Sequence, residues 1–224
     1  MPKHKPIAYR HLGGKSEDIR QKIFFFPSYA VSILLVIVVV LIWQSYERNR
    51  LYEDPIMLWK DNVGKSPKKA RVYNNLGKSY YHQGRFIDAI AAFQKALELK
   101  PDHFEARFSL GMAYVRQGQL DDAVQAFQAA ISGKPKYADA LVNLGSVYYL
   151  QNKLHEAIQA FRDALQIQPA NITARMNLAQ AYGQMGRTEE ARTELETLLH
   201  YQPSHTEATA MLRILETRKQ RSHH

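Results

Sequence analysis

The sequence contains no cysteine among its 224 residues. This absence excludes disulfide bonds, thiolate nucleophiles, cysteine-ligated zinc, iron–sulfur clusters and covalent attachment of c-type haem. Acidic residues are also scarce, with 21 Asp and Glu against 30 Lys and Arg. Part of the imbalance lies in residues 1–22, where six basic and two acidic residues give a net charge of +4. A short basic segment beside an apolar run is typical of a membrane-topology signal.

Catalytic and cofactor-binding motifs are missing as well. The sequence has no HExxH zinc signature, no Gly-rich phosphate loop after a strand, and no nucleophile elbow. Two acidic pairs, Asp121–Asp122 and Glu189–Glu190, begin predicted helices, where the helix dipole favours negative charge. We therefore expect the protein to be no enzyme and to use no metal or other cofactor.

One apolar run is long enough to cross a bilayer. Ile23 to Trp43 comprises 21 residues without a charge. As a helix this run spans about 31 Å, which matches a hydrocarbon core of roughly 30 Å. It is too long for the apolar region of a cleaved signal peptide, and no convincing small-residue cleavage site follows it. We interpret residues 23–43 as a transmembrane helix that serves as an uncleaved signal anchor.

The basic residues around this helix predict its orientation. Lys and Arg are frequent on the N-terminal side, whereas the C-terminal flank has Arg48, Arg50 and Lys60. By the positive-inside rule, we expect the N-terminus in the cytoplasm and the rest of the chain across the membrane. Because the margin is modest, the opposite orientation, with a cytoplasmic C-terminal domain, is the alternative.

Residues 70–205 repeat every 34 residues without insertion or deletion. In every copy the seventh residue is Leu, the eighth Gly or Ala, the eleventh Tyr, the twentieth Ala and the thirty-second Pro. The twenty-fourth is Phe in three copies and Leu195 in the fourth. The four copies begin at Ala70, Phe104, Ala138 and Ile172.

This pattern predicts two short antiparallel helices in each copy. Two apolar stripes of helical period are separated by a turn at Gly84, Gly118, Asn152 and Gly186, residue types that tolerate the left-handed conformation ending a helix. The small eighth and twentieth residues permit close helix packing, and Pro ends the second helix. Because one unit cannot bury its own stripes, we expect neighbours to stack into a solenoid.

At these positions the sequence resembles the tetratricopeptide repeat (TPR) family over residues 70–205. The resemblance implies an all-α fold, a right-handed superhelical TPR solenoid, preceded here by one transmembrane helix. Arg107 and Arg175 depart from the family's bulky fourth residue. Leu195 and Leu198 replace Phe and Ala in the last copy, which predicts less regular packing there.

The chain is thereby divided into segments. We predict a basic cytoplasmic segment at 1–22, a transmembrane helix at 23–43, a juxtamembrane linker and half-repeat cap at 44–69, repeats at 70–103, 104–137, 138–171 and 172–205, and a C-terminal cap helix and tail at 206–224. The region entering the first repeat is similar to repeat domains that follow membrane helices in bacterial envelope proteins. This similarity favours a bacterial inner membrane protein with periplasmic repeats.

In TPR proteins the first helices line a concave groove, and the resemblance implies binding residues at fixed positions of each copy. An Asn side chain donates and accepts, so spaced amides can bind a peptide backbone, while apolar groups suit an extended segment or amphipathic helix. The alternative is that Asn and Tyr are family defaults and that some apolar groups belong to the core. The candidates are Asn74, Asn75, Lys78, Tyr81, Phe108, Met112, Val142, Asn143, Ser146, Tyr149, Met176 and Asn177.

One known TPR binding mode is absent. The two-carboxylate clamp that holds the acidic C-termini of heat-shock chaperones requires Lys and Asn in one copy, Asn in the next, and two basic residues in the third, each at a fixed position. From the first copy those positions hold Asn74, Lys78, Ser109, Asp139 and Asn143. The clamp set is therefore not formed.

These features predict a membrane-tethered scaffold for protein–protein interaction, an accessory or assembly subunit of a membrane or envelope complex. Its partners would be membrane or envelope proteins, with the bilayer contacted through one span. The alternative is a basic surface-binding module for anionic lipid or nucleic acid, motivated by a net charge of +5 after residue 22. Because basic residues alternate with acidic ones there, we expect no specific nucleic-acid binding.

Overall fold

The computed structural model describes residues 28–221, and the side chains of residues 29–49 and 53–217. The predicted basic segment 1–22, the first five residues of the predicted span and the last three residues of the chain lie outside the described residues. Every regular element within the described range is an α-helix, which confirms the predicted all-α class. The chain divides into two units, one ending at Asp54 and one beginning at Pro55.

The first unit contains one long helix, α1, from Ser28 to Glu53. Its apolar side chains are exposed; Leu35 and Val39, for example, are 61% and 63% exposed. Within α1 the stretch Tyr29–Asn49 contains an 18-residue window with a mean hydropathy of 2.2, and by length and composition it is suited to crossing a membrane. The helix continues ten residues beyond Trp43 because no Pro or Gly interrupts the sequence before Pro55.

The second unit is a linear array of helix pairs. Each helix packs on the next, and the first helices of neighbouring pairs also contact one another. This arrangement is the predicted TPR solenoid, with α3–α4, α5–α6, α7–α8 and α9–α10 as the pairs. The helices are α2 (Pro55–Lys65), α3 (Ala70–His82), α4 (Phe86–Leu99), α5 (Phe104–Arg116), α6 (Leu120–Gly133), α7 (Ala138–Leu150), α8 (Leu154–Ile167), α9 (Ile172–Gln184), α10 (Thr188–Tyr201) and α11 (Thr206–Arg221).

The turn inside each repeat depends on one residue with positive φ. Gly84 and Gly118 have φ of 75°, Gly186 has 73°, and Asn152 has 58°. These are the turn residues that the repeat pattern predicts. Asn is the non-glycine residue that adopts this conformation most readily, which explains its place in the third repeat.

Close packing within a repeat depends on a small residue facing a large one. A Cβ atom placed on Gly111 would lie 2.7 Å from Cε1 of the fully buried Phe127 ring, which is too close for two carbon atoms. The fourth repeat has Ala179 opposite the smaller Leu195, and both are fully buried. The smaller Leu195 side chain leaves room for the Ala179 methyl group, so the core of the fourth repeat remains fully buried. The glycine–phenylalanine pairs of the first three repeats are Gly77–Phe93, Gly111–Phe127 and Gly145–Phe161.

The two arginines that depart from the family pattern join the helices of their repeats. Arg107 Nη1 donates to Ala129 O at 3.0 Å. Arg175 Nη1 lies 2.7 Å from Glu194 Oε2, and its Nε and Nη2 donate to Pro169 O. A polar contact to the second helix therefore replaces the apolar contact that a bulky residue would make.

The core continues from one repeat to the next through half-buried tyrosines. Tyr114 and Tyr148 each pack against two neighbouring clusters of buried residues. Gln94 Nε2 donates to Tyr114 Oη at 3.2 Å, and Gln128 Nε2 donates to Tyr148 Oη at 2.9 Å. Each of these bonds ties the second helix of one repeat to the first helix of the next.

Helices α2 and α11 cover the two ends of the array. On α2, Ile56 is 4% exposed and Trp59 packs against the cluster that contains the first repeat's Leu76. On α11, Ala208 and Leu215 are buried against the cluster of the last two repeats. The apolar faces of the first and last repeats are thus shielded from water, as a finite solenoid requires.

Candidate functional site

The first helices of the repeats carry the predicted site. Residues three or four apart lie on one face of a helix, so the fifth, sixth, ninth and twelfth positions of a copy share a face. In the array α3, α5, α7 and α9 together form this face, which we call the first-helix face. A recess lies near each of its two ends.

At the N-terminal end, α3 and the turn before α5 enclose a recess of about 730 Å³. Three predicted residues, Asn74, Asn75 and Lys78, lie together here. We call this the basic recess, because four of its residues are Lys or Arg and one is acidic. Its lining consists of Lys69, Ala70, Arg71, Asn74, Asn75, Lys78, Lys100, His103 and Glu105.

The inner wall of the basic recess holds a buried polar group that lacks a partner among the described residues. Asn74 is 3% exposed, and its Oδ1 has no hydrogen-bond partner among the described residues. Beside it, His103 Nδ1 lies 2.9 Å from Glu105 Oε2, which is ion-pair distance when the imidazole is protonated. Buried polar atoms normally have partners, so the Asn74 oxygen marks unused hydrogen-bonding capacity.

Two helices begin at the rim of the basic recess. The residues before α3 and α5, Lys69 and His103, give no side-chain cap to the first turn. The first N–H groups of each helix therefore keep their partial positive charge. This charge has the same sign as that of the surrounding lysines and Arg71.

At the C-terminal end, three further predicted residues come together. Ser146, Tyr149 and Asn177 line a pocket of about 180 Å³, and an adjoining pocket of about 310 Å³ reaches α11. Tyr149 and Gln180 line both, so we treat them as one C-terminal recess. Its other lining residues are Leu150, Phe161, Gly183, Gln184, Met211, Ile214 and Leu215.

The C-terminal recess combines exposed apolar groups with a few polar ones. Leu150 and Ile214 are 62% and 53% exposed, so this recess presents two large apolar side chains to solvent. Asn177 Nδ2 donates to Ser146 Oγ at 3.2 Å, so these two predicted residues are linked across neighbouring repeats. An amide has further donor and acceptor capacity beyond this one bond.

Several predicted residues pack within the array instead of lining a recess. Val142 and Met176 are 7% and 6% exposed and belong to the core of the last two repeats. Met112 is half-buried against the middle cluster. Asn143 Nδ2 donates to Asp139 O at 2.8 Å within α7, which occupies one of the predicted backbone-binding amides.

The two remaining predicted residues make aromatic contacts. The Tyr81 ring lies edge-to-face with Phe86, with centroids 5.4 Å apart. Phe108 packs on Phe127 at 5.7 Å and on Tyr137 at 5.0 Å. Burial raises the pKa of Tyr137, and the carboxylates of Asp139 and Glu105 raise it further, so its phenol stays neutral at ordinary pH.

Some lining residues were not predicted from the sequence. Lys69, Lys100 and His103 lie in turns, and Met211 and Ile214 lie on α11, so the register of the first helices could not identify them. Gln180 is different, because it occupies the ninth position of its copy, the same position as Lys78 and Ser146. The repeat register alone could therefore have identified Gln180 as a lining residue. Within the described range, no three His, Asp or Glu side chains are grouped to hold a metal ion.

Family comparison matches the tetratricopeptide repeat over residues 60–104, 74–136 and 108–172, and again over 148–215. No curated protein sequence matches the chain. Among solved structures, the crystal structure of MamA is 29% identical, covers 70% of this chain and 93% of its own, and has a TM-score of 0.66.

Two more distant structures share the fold. YrrB, described as a TPR protein with an unusual peptide-binding site, is 20% identical over 72% of this chain and 84% of its own, with a TM-score of 0.64. TTC0263, a thermophilic TPR protein of Thermus thermophilus, is 21% identical over 78% of this chain and 94% of its own, with a TM-score of 0.58.

Proposed function

From the premise that the chain belongs to the tetratricopeptide repeat family, we propose that it is a membrane-tethered scaffold that binds segments of partner proteins along its first-helix face. In this role it would be an accessory or assembly subunit of a membrane or envelope complex. The identity with YrrB is too low to carry over a binding site, so the proposal rests on this chain's own surface.

The observation that carries the proposal is that the two recesses gather half of the sequence-predicted groove residues at the two ends of one face. The basic recess supplies cations and amides, and the C-terminal recess supplies exposed apolar groups beside amides. A protein segment has both backbone polar groups and apolar side chains, so it can use both kinds of site. A small ligand would need an enclosed pocket, whereas these recesses are open to solvent.

The tether is proposed from α1. Its exposed apolar side chains would be costly in water, and insertion of Tyr29–Asn49 into a bilayer removes them from it. The basic residues before residue 23 support an N-terminus in the cytoplasm and repeats on the far side, in the periplasm of a bacterium.

The binding role is tested by quantitative capture of the full-length chain from native membranes in mild detergent. Leu150→Lys places a charge in the C-terminal recess at a position that is already 62% exposed, so folding should be preserved. Loss of one buried Leu contact is worth about 1.5–3 kcal/mol, so recovery of a partner should fall about tenfold or more.

The matched control is Ile87→Lys, because Ile87 is 74% exposed on the second helix α4 and lines neither recess. Its partner recovery should equal that of the unmodified chain. Equal recovery by both variants would show that partners do not use the C-terminal recess.

A further inference from the structure

We propose that the basic recess selects partners by an acidic segment. A bound segment would place two or more Asp or Glu carboxylates over the start of α3 and its apolar residues towards the C-terminal recess. This inference rests on the proposed function, since it names the chemistry of the partner that the first-helix face would bind.

The first argument is that the cations of the basic recess are unpaired. Within the described part of the chain, none of the four Lys and Arg side chains lining it lies within ion-pair distance of a carboxylate. Other described cations of the array are either paired, as in Arg85–Asp88, Lys95–Glu98 and Arg187–Glu190, or, like Lys136 and Lys153, line neither recess. Concentrated, unpaired charge of one sign favours an anionic occupant. The four are Lys69, Arg71, Lys78 and Lys100.

The second argument concerns the form of the anion. The uncapped first turns of α3 and α5 offer N–H groups, which favour any anion. The Asn74 Oδ1, however, is a buried acceptor without a donor among the described residues. A phosphate ion has few protons to donate at neutral pH, whereas a peptide brings backbone N–H groups together with carboxylates. Asn74 lines the recess beside the cations, and a peptide supplies both donors and carboxylates, so the chemistry favours an acidic peptide.

The third argument gives the direction of the bound segment. On the first-helix face the cations of the recess lie on and around α3, whereas Glu105 begins α5 and Asp139 begins α7. The C-terminal recess is lined by neutral side chains, among them the exposed Leu150 and Ile214. In the middle of the groove, Glu105 and Asp139 would repel the acidic residues of a partner. These residues should therefore lie over α3.

This recess is distinct from the two-carboxylate clamp of chaperone-binding TPR domains. The clamp takes its cations from first helices of the first and third repeats, and the third-repeat positions here hold Asp139 and Asn143. The basic recess instead draws Lys69 and Lys100 from the turns that precede α3 and α5.

The test is selection of a displayed random-peptide library against the full-length chain in detergent. We expect the bound peptides to be enriched in Asp and Glu on one side of an apolar group, and their affinity to fall with rising salt. Reversing two exposed recess charges, Arg71→Glu with Lys78→Glu, should weaken the selected acidic peptides about tenfold or more. The apolar part of the selected motif should persist.

The matched control makes the same charge change outside the recess, as Lys136→Glu with Lys153→Glu, both at exposed positions. It should leave binding within about twofold. Equal weakening by both double variants would overturn the inference, because the effect would then be one of net charge.

The outcomes separate this inference from the proposed function. Selected peptides that lack acidic bias but depend on Leu150 would overturn the acidic recess and leave the scaffold role standing. Failure to select any peptide would count against the scaffold itself. Binding of phosphatidylglycerol vesicles, dependent on Arg71 and Lys78 without acidic peptide binding, would assign the recess to a membrane surface and overturn the inference.

Discussion

At the scale of single residues, the spacing of the two helices in a repeat is set by what faces the buried ring. Glycine lies opposite phenylalanine in the first three repeats, and alanine lies opposite leucine in the fourth. The two positions should therefore be energetically coupled, because a methyl group fits only where the ring has been removed.

A double-mutant cycle tests this coupling in the second repeat. Gly111→Ala should destabilise the chain, because overpacking of about 1–3 kcal/mol exceeds a helix-propensity gain of about 1 kcal/mol. Phe127→Leu alone should cost about 1–2 kcal/mol through the void it leaves. The double variant should lose less than the sum, with a coupling of about 1 kcal/mol, measured by urea unfolding followed by circular dichroism.

Gly64→Ala is the control for that cycle. A Cβ atom on Gly64 would meet nothing within 4 Å, and the residue lies inside α2. The substitution should therefore stabilise the chain, by about 0.5–1 kcal/mol. If Gly111→Ala stabilised the chain to the same extent, the claim of a steric limit at Phe127 would be wrong.

At the scale of helices, Arg175 joins the two helices of the fourth repeat to the turn that ends the third. It contacts Glu194 on α10, the carbonyl of Pro169 in the preceding turn, and the ring of Tyr201, whose centroid lies 5.4 Å away. The Arg175 and Glu194 side chains are only 13% and 21% exposed. Removing the arginine would leave a partly buried carboxylate without its cation.

Arg175→Met should therefore weaken the α9–α10 pair, by about 1–3 kcal/mol. Because repeat arrays transmit stability mainly to neighbours, hydrogen exchange should quicken in residues 172–201 and stay unchanged in the first repeat. Arg192→Met removes an arginine whose pairs lie on the surface of α10, so it should change exchange little. Uniform acceleration throughout the array would contradict this local role.

The helices were predictable from the sequence because each carries its own signals. The 34-residue period, the turn residues with positive φ and the closing prolines determine where the helices begin and end. The partners of Arg107 and Arg175 were not predictable, since those bonds depend on the distance between two helices. The 34-residue register also could not place Lys100 and Met211 at the recesses, because their contribution depends on how repeats stack.

At the scale of the whole molecule, burial separates two kinds of predicted site residue. Val142 and Met176, at the fifth position of their copies, lie on the predicted groove face, yet both are buried in the core of the last two repeats. Tyr149 and Asn177, at the twelfth and sixth positions, lie on the same predicted face and line a recess. Periodicity identifies a face of a helix, but only the stacked array shows which part of that face remains open.

The absence of cysteine makes the proposed topology directly measurable. In an otherwise cysteine-free chain, Ser204→Cys introduces a single thiol at an exposed turn before α11. With periplasmic repeats, a membrane-impermeant maleimide should label it in cells whose inner membrane is intact. Ser16→Cys, before the predicted span, should be labelled only after lysis. The reverse pattern would place the repeats in the cytoplasm.

The central claim is that partner segments lie along the first-helix face, and site-specific photocrosslinking tests it most directly. We would place p-benzoylphenylalanine at Tyr149, in the C-terminal recess, and at the exposed Gln125 on the second helix α6, and irradiate native membranes carrying each full-length variant. The account predicts one dominant crosslinked protein segment from position 149 and little from position 125. Crosslinks from position 125 alone would show that partners use the outer face, and would contradict the account.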